Sequence, residues 1–100
     1  MVKHVVMWKF RDGADGKTRH EHALWIKKHL ESLVGVIPEI ITLEVGVNEN
    51  TTDAAFDAVL IATYADKEAM GRYAAHPEHK KISEYCKTVR ETRTVVDYTI

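Results

Sequence analysis

One hundred residues with a mass of 11.4 kDa, 45% hydrophobic and 29% charged, make one ordinary domain spanning 1–100 and leave no room for a second. Fourteen Lys+Arg against fifteen Asp+Glu give a formal charge of -1, which excludes the basic footprint that nucleic acid or an anionic membrane surface requires. The lone Cys86 excludes an intrachain disulfide, and the uncharged apolar run at 58–65 falls far short of the ~18 residues of a membrane span.

In chain order, residues 2–10 (VKHVVMWKF) are rich in β-branched and aromatic types and run into a loop marked by the Asp-Gly pairs at 12–13 and 15–16, which predicts a first strand. Lys3, Lys9 and Arg11 interrupt this apolar patch too closely for a secretory signal, so the expected compartment is cytoplasmic. Ala23, Ile26, Leu30, Leu33, Val34 and Ile37 recur at helical steps and predict a helix over 17–34, stopped by Gly35 and Pro38. Residues 40–48 alternate, with Ile41, Leu43, Val45 and Val47 on one face, and predict a half-buried strand.

An apolar third strand is expected over 55–64. Asp66 is placed to cap a second helix whose inner face carries Met70, Tyr73 and Ala74. His76-Pro77 breaks that helix and starts another, because proline is tolerated at a first helical position, where its missing N–H costs nothing. Ile82, Tyr85, Cys86 and Val89 form the new helix's apolar face, with Cys86 as a small buried side chain rather than a nucleophile. Residues 93–100 close the chain as a fourth strand.

This order predicts an α+β, ferredoxin-like βαββαβ domain with a four-stranded antiparallel sheet. Both helical segments cover one sheet face. The other carries Val5, Met7, Val59 and Ile61 with nothing in the chain to cover it, so a homodimer joined through this face is expected.

Val2-Lys3-His4-Val5-Val6, Lys9-Phe10, Ile37-Pro38, Leu43-Glu44-Val45-Gly46, the segment Tyr73-Ala74-Ala75-His76-Pro77-Glu78-His79 and the closing Val96-Asp97-Tyr98 together resemble the stress-responsive dimeric α/β-barrel family. The resemblance spans essentially the whole chain, and the Tyr-x-x-His-Pro-x-His segment is its most specific part. It implies two sheets packed into a barrel across a dimer. A plant polyketide cyclase of the family uses the tyrosine and second histidine matching Tyr73 and His79 as an acid–base pair. This chain departs from the cyclase at Ala58, where the cyclase has a pocket histidine.

The residues themselves support the same pair. His79 lies in the first turn of the helix that begins at Pro77, where unpaired N–H groups disfavour an imidazolium, and a neutral imidazole is a base near pH 7. Tyr73 keeps its proton and can donate to a developing oxyanion. The competing reading makes His76 a helix cap and packs Tyr73 and His79 against the sheet. His4, on the strand face of Val6 and Trp8, either orients a substrate or is a hydrogen-bonded core histidine. Ala58 and Leu60 on strand three, with His76, complete the expected substrate contacts.

His22, Trp25 and His29 form a stripe beside the core face of helix one, read as a partly exposed edge. His76-x-x-His79 with Glu78 lacks the further ligands of a zinc site, and no phosphate-binding loop is present, so neither metal nor cofactor is expected. The expected function is binding of a small hydrophobic carbonyl compound with cofactor-free lyase, isomerase or cyclase chemistry. The alternatives are a non-enzymatic binding or structural dimer, and a cofactor-independent monooxygenase.

Overall fold

A computed structural model describes residues 1–100. Strand β1, Val2–Phe10, buries alternate side chains, as a strand half-covered on one face must. A short 3-10 turn at Ala14–Gly16 follows, preceded by Gly13 and ending on Gly16, at φ of 86° and 73°. Helix α1, Arg19–Glu31, opens on a reciprocal capping box: Thr18 accepts from the Glu21 N–H, and the Glu21 carboxylate accepts from the Thr18 N–H. Strands β2, Thr42–Val47, and β3, Ala58–Tyr64, lead to helices α2, Lys67–Ala75, and α3, Pro77–Val89. Strand β4, Arg90–Thr99, ends the domain.

The sheet order is β2-β3-β1-β4 with every pair antiparallel, so the two doubly apolar strands are central. Register fixes the faces. Val6 lies between Leu60 and Val95, and Trp8 between Ala58 and Arg93, on the side that the helices cover. Val5 lies between Ile61 and Val96, and Met7 between Val59 and Thr94, on the side left open. There Val96 is 58% and Tyr98 46% exposed.

The first helix is shorter than its apolar spacing suggests. It ends at Glu31 and the chain turns, so Val34 no longer projects from a helical face and is half exposed, while Leu33 and Ile37 stay in the core. Ile41 likewise lies outside β2 and is exposed. The turn closed by the Ile40 N–H on the Ile37 carbonyl buries Ile40 in its place. Strand β3 starts at Ala58 rather than 55, because Asp57 is committed elsewhere: its N–H bonds the Trp8 carbonyl and its carboxylate accepts from the Phe10 N–H at a register shift in β1. Strand β4 starts at Arg90, directly after α3, rather than at 93.

Strand β2 would present an unpaired backbone edge, and α1 covers it with side chains. Lys27 Nζ donates to the Val45 carbonyl at 2.7 Å, Glu31 Oε2 accepts from the Val45 N–H at 3.0 Å, and the two side chains bond each other at 2.9 Å. The lysine and the Val45 N–H hold the Glu31 carboxyl below its ordinary range. Glu31→Ala should therefore cost about 1 kcal/mol in urea unfolding, the net worth of one such bond to backbone. A Leu24→Ala control on the exposed face of α1 should cost less.

Candidate functional site

The break between α2 and α3 builds the site. His76 adopts extended dihedrals (φ -64°, ψ 135°) and ends one helix and begins the next, its Nδ1 accepting from the Glu78 N–H at 3.1 Å with Pro77 in the first turn. Tyr73 in the last turn of α2 and His79 in the first turn of α3 are thereby brought into contact, ring centroids 4.5 Å apart and planes tilted by 49°. A continuous helix would have splayed two positions six residues apart.

His79 Nδ1 lies 3.1 Å from the Ala74 carbonyl, one of the acceptors left open where α2 ends. A carbonyl only accepts, so Nδ1 carries the proton and Nε2 keeps the lone pair of the neutral ring. Burial lowers the proton affinity of His79, and the charges of His4, Arg93 and His76 lower it further, while the Ala74 bond opposes them. Desolvation is thus the main cause of the lowered proton affinity, with neighbouring charges adding to it.

Tyr73 is 2% exposed and its hydroxyl makes no hydrogen bond; nor does that of Tyr64, whose ring is 5.0 Å away. The two hydroxyls are near enough to influence each other's ionisation, but burial dominates and pushes Tyr73 up to about 12 and Tyr64 higher still. An unpartnered buried O–H is costly and marks a donor without an acceptor.

Tyr73 and His79 are among the residues that line a cleft of about 320 Å³ between the sheet and the helices. Its floor is His4, Val6 and Trp8 of β1 with Leu60 of β3, and Ile26, Leu30 and Ile82 supply apolar walls. His4 fits both of its sequence readings: it is buried, hydrogen-bonded through Nδ1 to Asp97 on β4, and part of the floor. Burial pushes the Cys86 thiol in the same wall up to about 11, so it stands there as a neutral thiol.

Two expected contacts are not on this surface. Ala58, cross-strand from Trp8, is covered and lines a separate depression with Met7, Val47 and Phe56. His76 is turned to its capping bond. The stripe on α1 also differs from expectation: His22 is 1% exposed because its Nε2 donates to the Ala14 carbonyl at 2.8 Å, anchoring the loop after β1. Trp25 stacks on His29 at 3.9 Å and packs near Tyr85, away from the cleft. No three His, Cys, Asp or Glu side chains converge as a metal-binding group, and no helix is long and apolar enough to cross a membrane.

Sequence reasoning missed Asp97, Arg90 and Arg93. Asp97 meets His4 because the two are direct partners across β1 and β4, and Arg93 faces the helices because it pairs with Trp8. Alternation along 93–100 would have put Arg93, Val95 and Asp97 on one face, but only the register says which.

Protonation of His79 is disfavoured in the folded chain, so the unfolded chain binds more protons wherever the two states differ. Stability is full above the unfolded value, about 6.5, and declines as pH falls from there through the lower folded value. Urea midpoints measured from pH 7.5 downward should show this decline, and His79→Gln should flatten it.

A four-stranded antiparallel sheet with its helices on one face defines a ferredoxin-like α+β domain. The chain belongs to the stress-responsive A/B barrel domain family, whose model matches residues 2–100. It is 26% identical over 107 residues to a stress-response A/B barrel domain-containing protein of Arabidopsis thaliana, covering 98% of this chain and 46% of that protein. The chain thus spans about half the length of that curated relative.

Among solved structures, a dimeric ferredoxin-like protein of unknown function from Bacteroides fragilis is 30% identical, with a TM-score of 0.85 over 99% of this chain and 95% of that one. A second dimeric ferredoxin-like protein of unknown function, from Jannaschia sp. CCS1, is 25% identical, with a TM-score of 0.71 over 99% and 98%. A hydroxynitrile lyase from Passiflora edulis shares the fold alone, at 14% identity and a TM-score of 0.79 over 99% and 92%.

Proposed function

We propose that this domain acts as a homodimer whose cleft binds a small hydrophobic carbonyl compound, and that Tyr73 and His79 remove a proton beside the carbonyl without a cofactor. The observation that carries the reading is the buried Tyr73 hydroxyl, without a partner of its own, beside a histidine whose Nδ1 is committed and whose Nε2 is free. His79 Nε2 takes the proton from carbon, the electron pair moves onto the carbonyl oxygen, and the Tyr73 O–H donates to that oxygen. Return of the proton to a different carbon of a conjugated enolate gives isomerisation; attack of the new carbanion on a second carbonyl of the same molecule gives cyclisation, the resulting alkoxide taking the proton back from His79. His4, Val6, Trp8 and Leu60 hold the apolar part of the substrate, with His4 oriented by Asp97. The apolar open sheet face, together with relatives described as dimeric, supports the homodimer.

The test follows hydrogen exchange beside a simple carbonyl. With 2-octanone in D2O, the protein should accelerate deuterium uptake at the carbons flanking the carbonyl, read by proton NMR, and the Tyr73 and His79 resonances should shift. Binding with no exchange above buffer would make the domain a non-enzymatic binding dimer. Absence of both would remove the ligand site.

A further inference from the structure

The cleft has a cationic rim that proton abstraction does not use. Arg93 leaves β4 on the helix-covered side, cross-strand from Trp8, and Arg90 stands where α3 gives way to β4. Both line the cleft, Arg93 exposed and Arg90 half-buried, and neither guanidinium makes an ion pair or a side-chain hydrogen bond. Lys87 adds a third cation, tied to Glu84 at 3.5 Å. No carboxylate lines the cleft, and the nearby Asp97 is held by His4. The Arg93 charge reaches inward far enough to weaken proton binding at both Tyr73 and His79.

The geometry points to an apolar oxo-carboxylate as the substrate class, its carbonyl inside against Tyr73 and its carboxylate at the rim on Arg90 and Arg93. The assignment rests on the carbonyl-binding reading above and narrows it. Guanidinium forks match a carboxylate, whose charge would otherwise enter the cleft unpaired. A phosphate site would add free backbone N–H groups at a helix start. Here the Glu78 N–H in the first turn of α3 is already taken by His76. Val6, Leu60 and Ile82 supply an apolar part of the lining, which suits an alkyl or aryl chain.

Calorimetric titration of the intact protein with octanoate, 2-octanone and octyl phosphate separates the possibilities. Octanoate should bind, and the double variant Arg90→Gln/Arg93→Gln should lose roughly tenfold or more of that affinity. Its affinity for 2-octanone should stay unchanged, which also reports an intact cleft. Octanoate binding should weaken as salt is raised, whereas that of 2-octanone should not. Equal octanoate binding by the wild type and the double variant would overturn the carboxylate assignment and leave the carbonyl site standing. So would octyl phosphate binding roughly tenfold tighter than octanoate. Failure of all three to bind would overturn the carbonyl site and this assignment together.

Discussion

His79→Ala should lower deuterium exchange beside a bound carbonyl by about 10²- to 10⁴-fold, the range a positioned general base contributes. Tyr73→Phe should lower it by about 10²-fold, as loss of one oxyanion donor does. The double variant should fall little below His79→Ala, because a donor that stabilises the enolate has nothing to act on once the base is gone. Tyr73→Phe carries a second, opposite expectation. Its hydroxyl is buried without a partner, so removing the oxygen while keeping the ring should leave stability unchanged or raise it. A tyrosine that merely packs against the sheet would give neither the loss of exchange nor the separation of activity from stability. Urea unfolding and NMR exchange on the same preparations decide between the two. The low proton affinity of His79 adds that exchange should persist below the pH at which an ordinary histidine becomes protonated.

A charge on the open sheet face should separate the proposed homodimer. Light scattering at micromolar concentration should give about twice the 11.4 kDa chain mass for the wild type. Val96 is 58% exposed in the single chain, so Val96→Glu costs the isolated subunit little, yet it would bury a carboxylate in each half of a two-fold interface. The dimer dissociation constant should rise on the order of 10³-fold and the mass should fall to that of one chain. Val95 is the control, 43% exposed on the same strand but pairing with Val6 on the opposite side of the sheet. Val95→Glu should leave the dimer intact. Equal effects of the two variants would mean that the strand edge, rather than the face, joins the subunits.

The amino-acid sequence by itself determined the features that depend on near neighbours in the chain. Alternation set the two faces of β1, Asp66 capped α2 through the Ala69 N–H, and His76-Pro77 ended one helix and began another because proline lacks the N–H a continuous helix needs. The motif around that break was legible enough to indicate the family and to single out Tyr73 and His79.

Tertiary structure decided whatever depended on register and on where chain turns fall. Val34 and Ile41 fit their periodic patterns and still face solvent, because the turns after Glu31 and at Ile40 change the direction of the chain before the pattern ends. His22 is buried because a carbonyl eight residues away awaits its ring nitrogen. Asp97 reaches His4, and Arg93 reaches the cleft, only through the pairing of β4 with β1. A strand's side chains alternate in either register, and a slip of one residue would have sent both to the open face.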